Sequence, residues 1–357
     1  MKLIISFFIF CLVLFLYLHI QFHLKTSNDL EIYEIEQTSK EKLEEICDLR
    51  QPVLFDYDEY VDKIVNNCCK NYLLQNYPIF SLKIRENKQN KDLINYNSLY
   101  RNDNSFVSNN NNNKNENFYV YMNLNVANKL FDEDKKGNYF SENNEDFLKE
   151  TGVYKVMNYN DEFLRPYLVS NYYYDIIMGS ENSTTPFKYE INYRNYFLVT
   201  QGNITIKLSP PKSSKYLYVI NDYENLEFRS QIDVWNIQEK YKHDFEKVKC
   251  LEINLTPGKF LFIPAYWFYS FKLSKDSSIC CFKYRTYMNN IAISPHIFLY
   301  TLQNNNIEVK LSKVKSNEIN LNNNNEKINK EEQLQISHQI QQEYIGTNEI
   351  KNIMINN

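Results

Sequence analysis

The pattern of apolar and polar positions changes character along the chain. Leu3 to Phe22 is almost unbroken apolar sequence, interrupted only by Ser6, His19 and Gln21. As a helix rising ~1.5 Å per residue, such a stretch spans about the ~30 Å of a bilayer core. Two other readings stand beside a membrane anchor. A cleaved signal peptide wants a shorter apolar region and a small-residue cleavage site, which LYLHIQFHLKTSN does not offer. A buried core helix seldom begins two residues from an N-terminus. The expectation is an anchor.

Downstream the period shortens. Glu31-Ile-Tyr-Glu-Ile-Glu alternates as a strand does, Ser39-Lys-Glu-Lys-Leu-Glu-Glu has the form of a capped helix start, and Gln51-Pro-Val-Leu-Phe is a second short strand. A helix is expected over Val61–Gln75. Polar sequence follows, with the asparagine run Asn109–Asn113 as a solvated loop. Strand alternation resumes at Phe118–Asn125, whereas Phe147–Pro166 has no clear period. Strands are expected through Tyr172–Tyr218, across Leu255–Tyr269 and over Phe271–Tyr284, with a helix at Asn289–Leu302. From Asn304 the sequence turns polar, with room for one polar helix near Lys330–Tyr344.

Composition narrows the classes. Abundant Tyr, Phe and Ile favour strands, and only 6 glycines argue against phosphate-cradling Gly-rich loops. There is no GxSxG, P-loop or GxGxxG. A net charge of -4 without local basic blocks argues against a nucleic-acid partner. Cysteines at 11, 47, 68, 69, 250, 280 and 281 form no CxxC, so a zinc ribbon or thioredoxin-type motif is not expected. The adjacent pairs Cys68-Cys69 and Cys280-Cys281 each place one thiol inside and one outside. Asn182-Ser-Thr, Asn203-Ile-Thr and Asn254-Leu-Thr are N-x-S/T sequons. In so asparagine-rich a chain they read as coincidence unless the body is lumenal.

Two stretches carry a family resemblance. Leu255-Thr-Pro-Gly-Lys-Phe-Leu-Phe-Ile-Pro-Ala-Tyr-Trp-Phe-Tyr269 resembles the last metal-bearing strand of cupin and JmjC-like oxygenases, LxPGDxLFIPxxWxH. Gly179, Thr184-Thr-Pro-Phe-Lys-Tyr-Glu190, Asn195-Tyr-Phe-Leu-Val-Thr-Gln-Gly202 and Ser209-Pro-Pro resemble that family's core strands. The strand, helix, strand order of residues 30–57 is similar to the family's opening, and the asparagine-rich, glycine-poor character is similar to degenerate cupin-like proteins of large DNA viruses. The resemblance implies a mainly β (α+β) fold, a double-stranded β-helix with flanking helices. It also implies iron held by two histidines and a carboxylate, with 2-oxoglutarate as cosubstrate.

Residue by residue, the family's ligands are missing. Counting from Thr185-Pro-Phe, the first histidine falls on Lys188 and the carboxylate on Glu190. Counting back from Asn195, they fall on Tyr189 and Ile191. The second histidine falls on Tyr269, the acid after glycine on Lys259, and the cosubstrate lysine near Ile204. A protonated lysine has no lone pair for a metal. Of the five histidines, His19 and His23 belong to the anchor region, His243 reads as a surface-loop residue, His296 as structural, and His338 lies in the tail.

Four segments are therefore expected: an anchor at 1–24, an extension at 25–117, a β-helix core at 118–303, and a polar tail at 304–357. The expected function is binding or structure in a membrane-anchored, catalytically degenerate protein without cofactor. Lys188, Glu190, Asn195, Trp267 and Tyr269 would line the old pocket, with Lys188 pairing Glu190 and Tyr269 filling the vacated space. One alternative is an Fe(II)/2-oxoglutarate oxygenase using Glu190, Tyr269 and His243. Another is a glycan- or peptide-binding barrel that uses Trp267. Lys2 and the terminal amine on the short side, against Glu31, Glu34 and Glu36 beyond Lys25, place the body outside the cytosol.

Overall fold

The structure, a computed structural model, describes residues 2–36, 39–56, 58–87 and 119–305. The Asn109–Asn113 run, His338 and the polar helix expected at 330–344 lie outside them. Helix α1 (Lys2–Leu24) leads, followed by β1 (Tyr33–Ile35), α2 (Lys40–Cys47) and β2 (Val53–Asp56). The α2 start is capped as the sequence suggests, Lys42 N donating to Ser39 Oγ at 3.4 Å. Helices α3 (Asp58–Cys68) and α4 (Lys70–Asn76) replace the single helix expected at Val61–Gln75, because Cys69 between them is extended. Then come β3 (Ser81–Glu86), β4 (Tyr119–Asn123), α5 (Leu124–Glu133), β5 (Tyr139–Ser141), α6 (Glu145–Glu150) and α7 (Val153–Tyr159). The last two fill the stretch in which no period is legible.

The remaining strands are β6 (Val169–Gly179), β7 (Lys188–Tyr189), β8 (Arg194–Gln201), β9 (Ile204–Ser209), β10 (Val219–Asp222) and β11 (Glu227–Ser230). After the short helix α8 (Lys242–Phe245) follow β12 (Leu251–Leu255), β13 (Lys259–Phe262), β14 (Phe268–Leu273) and β15 (Ser278–Thr286). The strand expected over Phe271–Tyr284 is thus two, parted by a turn in which Ser277 N donates to Ser274 O at 3.3 Å. The helix expected at Asn289–Leu302 is also two, α9 (Tyr287–Ala292) and α10 (Ser294–Asn304). Pro295 fits only the first turn of a helix and so starts a new one.

These strands form two largely antiparallel sheets. The larger runs β1-β2-β13-β8-β15-β6-β5-β3-β4 and the smaller β10-β11-β7-β14-β9-β12. The extension expected at 25–117 is continuous with the core, since β2 pairs with β13 and β3 with β5. Strand alternation sorts side chains between two hydrophobic layers. Ile279 and Cys281 of β15 face the space between the sheets with Phe197, Ile206, Leu261 and Phe271, while Cys280, Phe282 and Tyr284 face the helices. Both thiols of the Cys280-Cys281 pair are buried as a result, because helices cover the sheet's outer face. All seven cysteines are free. Met1–Phe298 make one compact unit, and of the second, Leu299–Asn357, only the stretch to residue 305 is described.

Candidate functional site

The Leu255–Tyr269 stretch folds as its turn chemistry dictates. Gly258 has φ +89, a conformation costly for other residues, and its N–H donates to Val199 O at 2.9 Å. Lys259, at the position where the sequence resemblance implies an acid, pairs at 2.6 Å with Asp56 of the neighbouring strand β2. The Pro264–Trp267 turn comes back to the site, Tyr266 N donating to Glu190 O at 2.9 Å. Tyr269 on β14 is then directly opposite Lys188 on β7. Of the two registers legible in the sequence, the one through Lys188 and Glu190 faces this interior. Tyr189 stacks on Phe228, and Ile191 packs in the same outer cluster.

The interior polar groups form a closed network of ion pairs. Lys188 Nζ lies 2.7 Å from Glu142 Oε2 and 3.8 Å from Glu227 Oε2. Arg85 Nη1 donates to Glu142 Oε1 at 2.5 Å, and the same guanidinium grips Glu227 through both nitrogens at 2.9 and 3.0 Å. Glu190 Oε1 accepts from Lys283 Nζ at 2.7 Å and from Tyr269 Oη at 3.1 Å, while Asn192 Nδ2 lies 3.3 Å from Oε2. The expected Lys188–Glu190 pair is therefore replaced by two others, Lys188–Glu142 and Glu190–Lys283.

Distant segments deliver these groups. Glu142 follows β5 in a turn held by Asp175, whose carboxylate accepts from Asn143 N at 2.8 Å and Asn144 N at 2.7 Å. Lys283 shares the inward face of β15 with Ile279 and Cys281. Beyond Lys188, Glu190 and Tyr269, a cation on an apolar inward stripe is the one further sign of this cluster in the sequence. Arg85 and Glu227 give none, lying on β3 and β11, whose pairing no local motif announces, and neither does Glu142 in the turn after β5.

Charge compensation decides the protonation states. Burial alone raises the Glu190 carboxyl, and Lys283 and Lys188 more than reverse that, leaving it below its ordinary value. Burial acts likewise on Glu142 and Glu227, but Lys188 and Arg85 prevail, with Glu227 lowered to about 2. Burial lowers Lys188 and Lys283, and their carboxylate partners raise both above the ordinary lysine value. Tyr269 is pushed well above 10 by burial and by Glu190. Carboxylates stay ionised, amines stay protonated and the phenol keeps its proton. This cluster offers neither a free general base nor a neutral amine nucleophile.

The other candidate residues lie in different settings. Asn195 is buried and donates to Ile263 O at 3.2 Å and Asn192 O at 3.3 Å, fixing the loop after β13. Trp267 is 0% exposed within the inter-sheet core and presents no face to a ligand. Its neighbours Tyr266 and Phe268, with Tyr189, line a depression of about 270 Å³ instead. Ile204 is also in the inter-sheet core. His243 is exposed on α8 and is not among the groups around Glu190. His296 packs its ring against Phe228 at 5.4 Å.

This donor set does not fit an iron(II) ion. At the three positions that the resemblance assigns, one residue is an ammonium, one a protonated phenol, and the carboxylate is already held by Lys283, Tyr269 and Asn192. Among the described residues no group of three or more His, Cys, Asp or Glu is arranged to hold a metal.

Two largely antiparallel sheets with flanking helices and a polar cluster between them define a cupin-type protein. A family model described as a cupin-like domain matches residues 39–292, and the chain belongs to that family.

Proposed function

We propose that this is a membrane-anchored, double-stranded β-helix protein in which ion pairs have taken over the position of a metal centre, leaving a binding or structural role. The observation that carries this reading is the double pairing of Lys188 with Glu142 and of Glu190 with Lys283 and Tyr269. Each group in the ligand positions is already satisfied by an opposite charge or a hydrogen bond. Helix α1, apolar along its length and exposed, is the anchor, with the body on the extracytoplasmic side. The partner is a protein or glycan, for which the aromatic depression of Tyr189, Tyr266 and Phe268 is a suitable surface.

The rival from the same family is an Fe(II)/2-oxoglutarate oxygenase with unusual ligands, and one experiment separates the two. The full chain in mild detergent is loaded anaerobically with Fe(II), desalted, and assayed for iron and for 2-oxoglutarate binding by calorimetry. The expected result is neither. Stoichiometric iron that is lost in Glu190→Gln would overturn the proposal.

A further inference from the structure

Resting on the anchoring role proposed for α1, we infer that the body has a second membrane contact: the Tyr167–Leu168 turn and the exposed face of α9 lie on the bilayer surface that α1 enters. The end of α1 is fixed against the body. His23 Nε2 lies 3.2 Å from Thr286 Oγ1, and Phe22 O accepts from Arg50 Nη2 at 3.4 Å. The Arg50 guanidinium sits over the rings of Phe22 at 5.2 Å and Tyr193 at 4.7 Å. The apolar span ends at Phe22, so Thr286 marks the level at which the chain leaves hydrocarbon.

The residues at that level are apolar and face outward. Tyr287 follows Thr286 directly, and its N–H donates to Leu168 O at 3.3 Å. Tyr167 is 64% exposed, Leu168 76%, Tyr287 64% and Ile291 42%. Asn290 Nδ2 donates to Ser170 Oγ at 2.8 Å, which ties α9 to the strand that leaves this turn. Single exposed apolar residues are ordinary, but a contiguous set beside a span marks a contact. Leu168 is the most exposed of the four and sits at the tip of the turn, where its φ of +56 reverses the chain into β6.

The polar surroundings suit head-group level. Lys40 Nζ lies 5.3 Å from the Tyr167 ring centre, and Lys40, Lys155 and Arg165 border a depression of about 610 Å³ beside this turn. Tyrosines with lysine and arginine whose stems lie along apolar surface are the residues that settle at a bilayer interface. Asp161 in the same segment is buried and paired with Arg165 at 2.7 Å, which leaves Glu162 as the exposed acid there.

The test uses the full chain reconstituted in phosphatidylcholine vesicles brominated near the head group or near the chain ends. Phe8→Trp, Tyr167→Trp and Tyr287→Trp are each compared with wild type, whose Trp235 and Trp267 supply the background. The added emission of Tyr167→Trp and Tyr287→Trp is expected to fall with head-group-side bromine and less with chain-end bromine, as for rings at the interface. That of Phe8→Trp is expected to fall with chain-end bromine. Quenching of Phe8→Trp without quenching of the other two overturns the second contact and leaves the anchor standing, with a protein as the alternative occupant of this face. No quenching of Phe8→Trp retires the anchor and the inference together.

Discussion

Lys188 Nζ and Glu142 Oε2, 2.7 Å apart and both buried, join strand β7 of the small sheet to the turn after β5 of the large one. Pairing in a dry interior pits the cost of desolvating two ions against their attraction, so the intact pair contributes little, while a half-broken pair is costly. Lys188→Met leaves Glu142 short of one cation and is expected to lower unfolding stability by about 3–5 kcal/mol. The double variant Lys188→Met/Glu142→Gln is expected to lose less than the sum of the two single changes, because its partners are removed together. Urea unfolding of the detergent-solubilised chain measures both. Equal, additive losses would show that the pair is not coupled.

Tyr269→Phe separates filling space from binding. The ring packs between Phe197 and Phe271, with centres 5.1 and 5.5 Å away, and phenylalanine keeps those contacts. What is lost is the hydroxyl's bond to Glu190, which Lys283 still holds. The expected cost is about 1 kcal/mol, read from the same unfolding curves, with no change in metal content. A loss of bound iron on this substitution would make Tyr269 a ligand.

The same network sets a direction for pH. Glu227 titrates at about 2 in the folded protein against 4.5 for a free carboxyl, burial being outweighed by Lys188 and Arg85. Its folded pKa lies below its unfolded one, so its contribution is complete above about pH 4.5 and is lost as pH falls toward 2. Thermal melts across that interval are expected to show a steep decline. Glu227→Gln is expected to be less stable at neutral pH and to decline less steeply in acid. An unchanged acid slope would remove Glu227 from the network.

How much of this was legible depends on the distance over which each feature is encoded. The turn, strand and proline of Leu255–Pro264 are local chemistry and stand almost where the sequence places them. So does the Ser39 cap. Asp56 as partner to Lys259 was not legible, because it requires β2 to lie beside β13, and 203 residues separate the pair. The Lys188–Glu190 pair was expected on proximity alone. Residues two apart straddling the end of β7 find partners across the interior, and the strand pairing that supplies Glu142 and Lys283 is non-local. The splits of the 271–284 strand and of the 289–302 helix are local features by contrast: the polar run Ser274-Lys-Asp-Ser-Ser278 marks the first as a turn, and Pro295 marks the second.

The side of the membrane on which the body lies is open to a direct chemical test. The sequon asparagines Asn182, Asn203 and Asn254 are all exposed, in the turn after β6, in the β8–β9 turn and on the edge strand β12. Oligosaccharyl transfer reaches such sites only in the lumen of the secretory pathway, so the sequons report topology whatever their role. With Lys2 retained in the cytosol, the full chain expressed in a eukaryotic cell is expected to run as a glycosylated ladder. Peptide N-glycosidase should collapse that ladder, and Asn182→Gln, Asn203→Gln and Asn254→Gln should each remove a step. A single unshifted species in the membrane fraction would put the body on the cytosolic face. The charge argument would then have been outweighed, since the rule counts lysines and arginines near the span and here rests on little more than Lys2 before it against Lys25 after it.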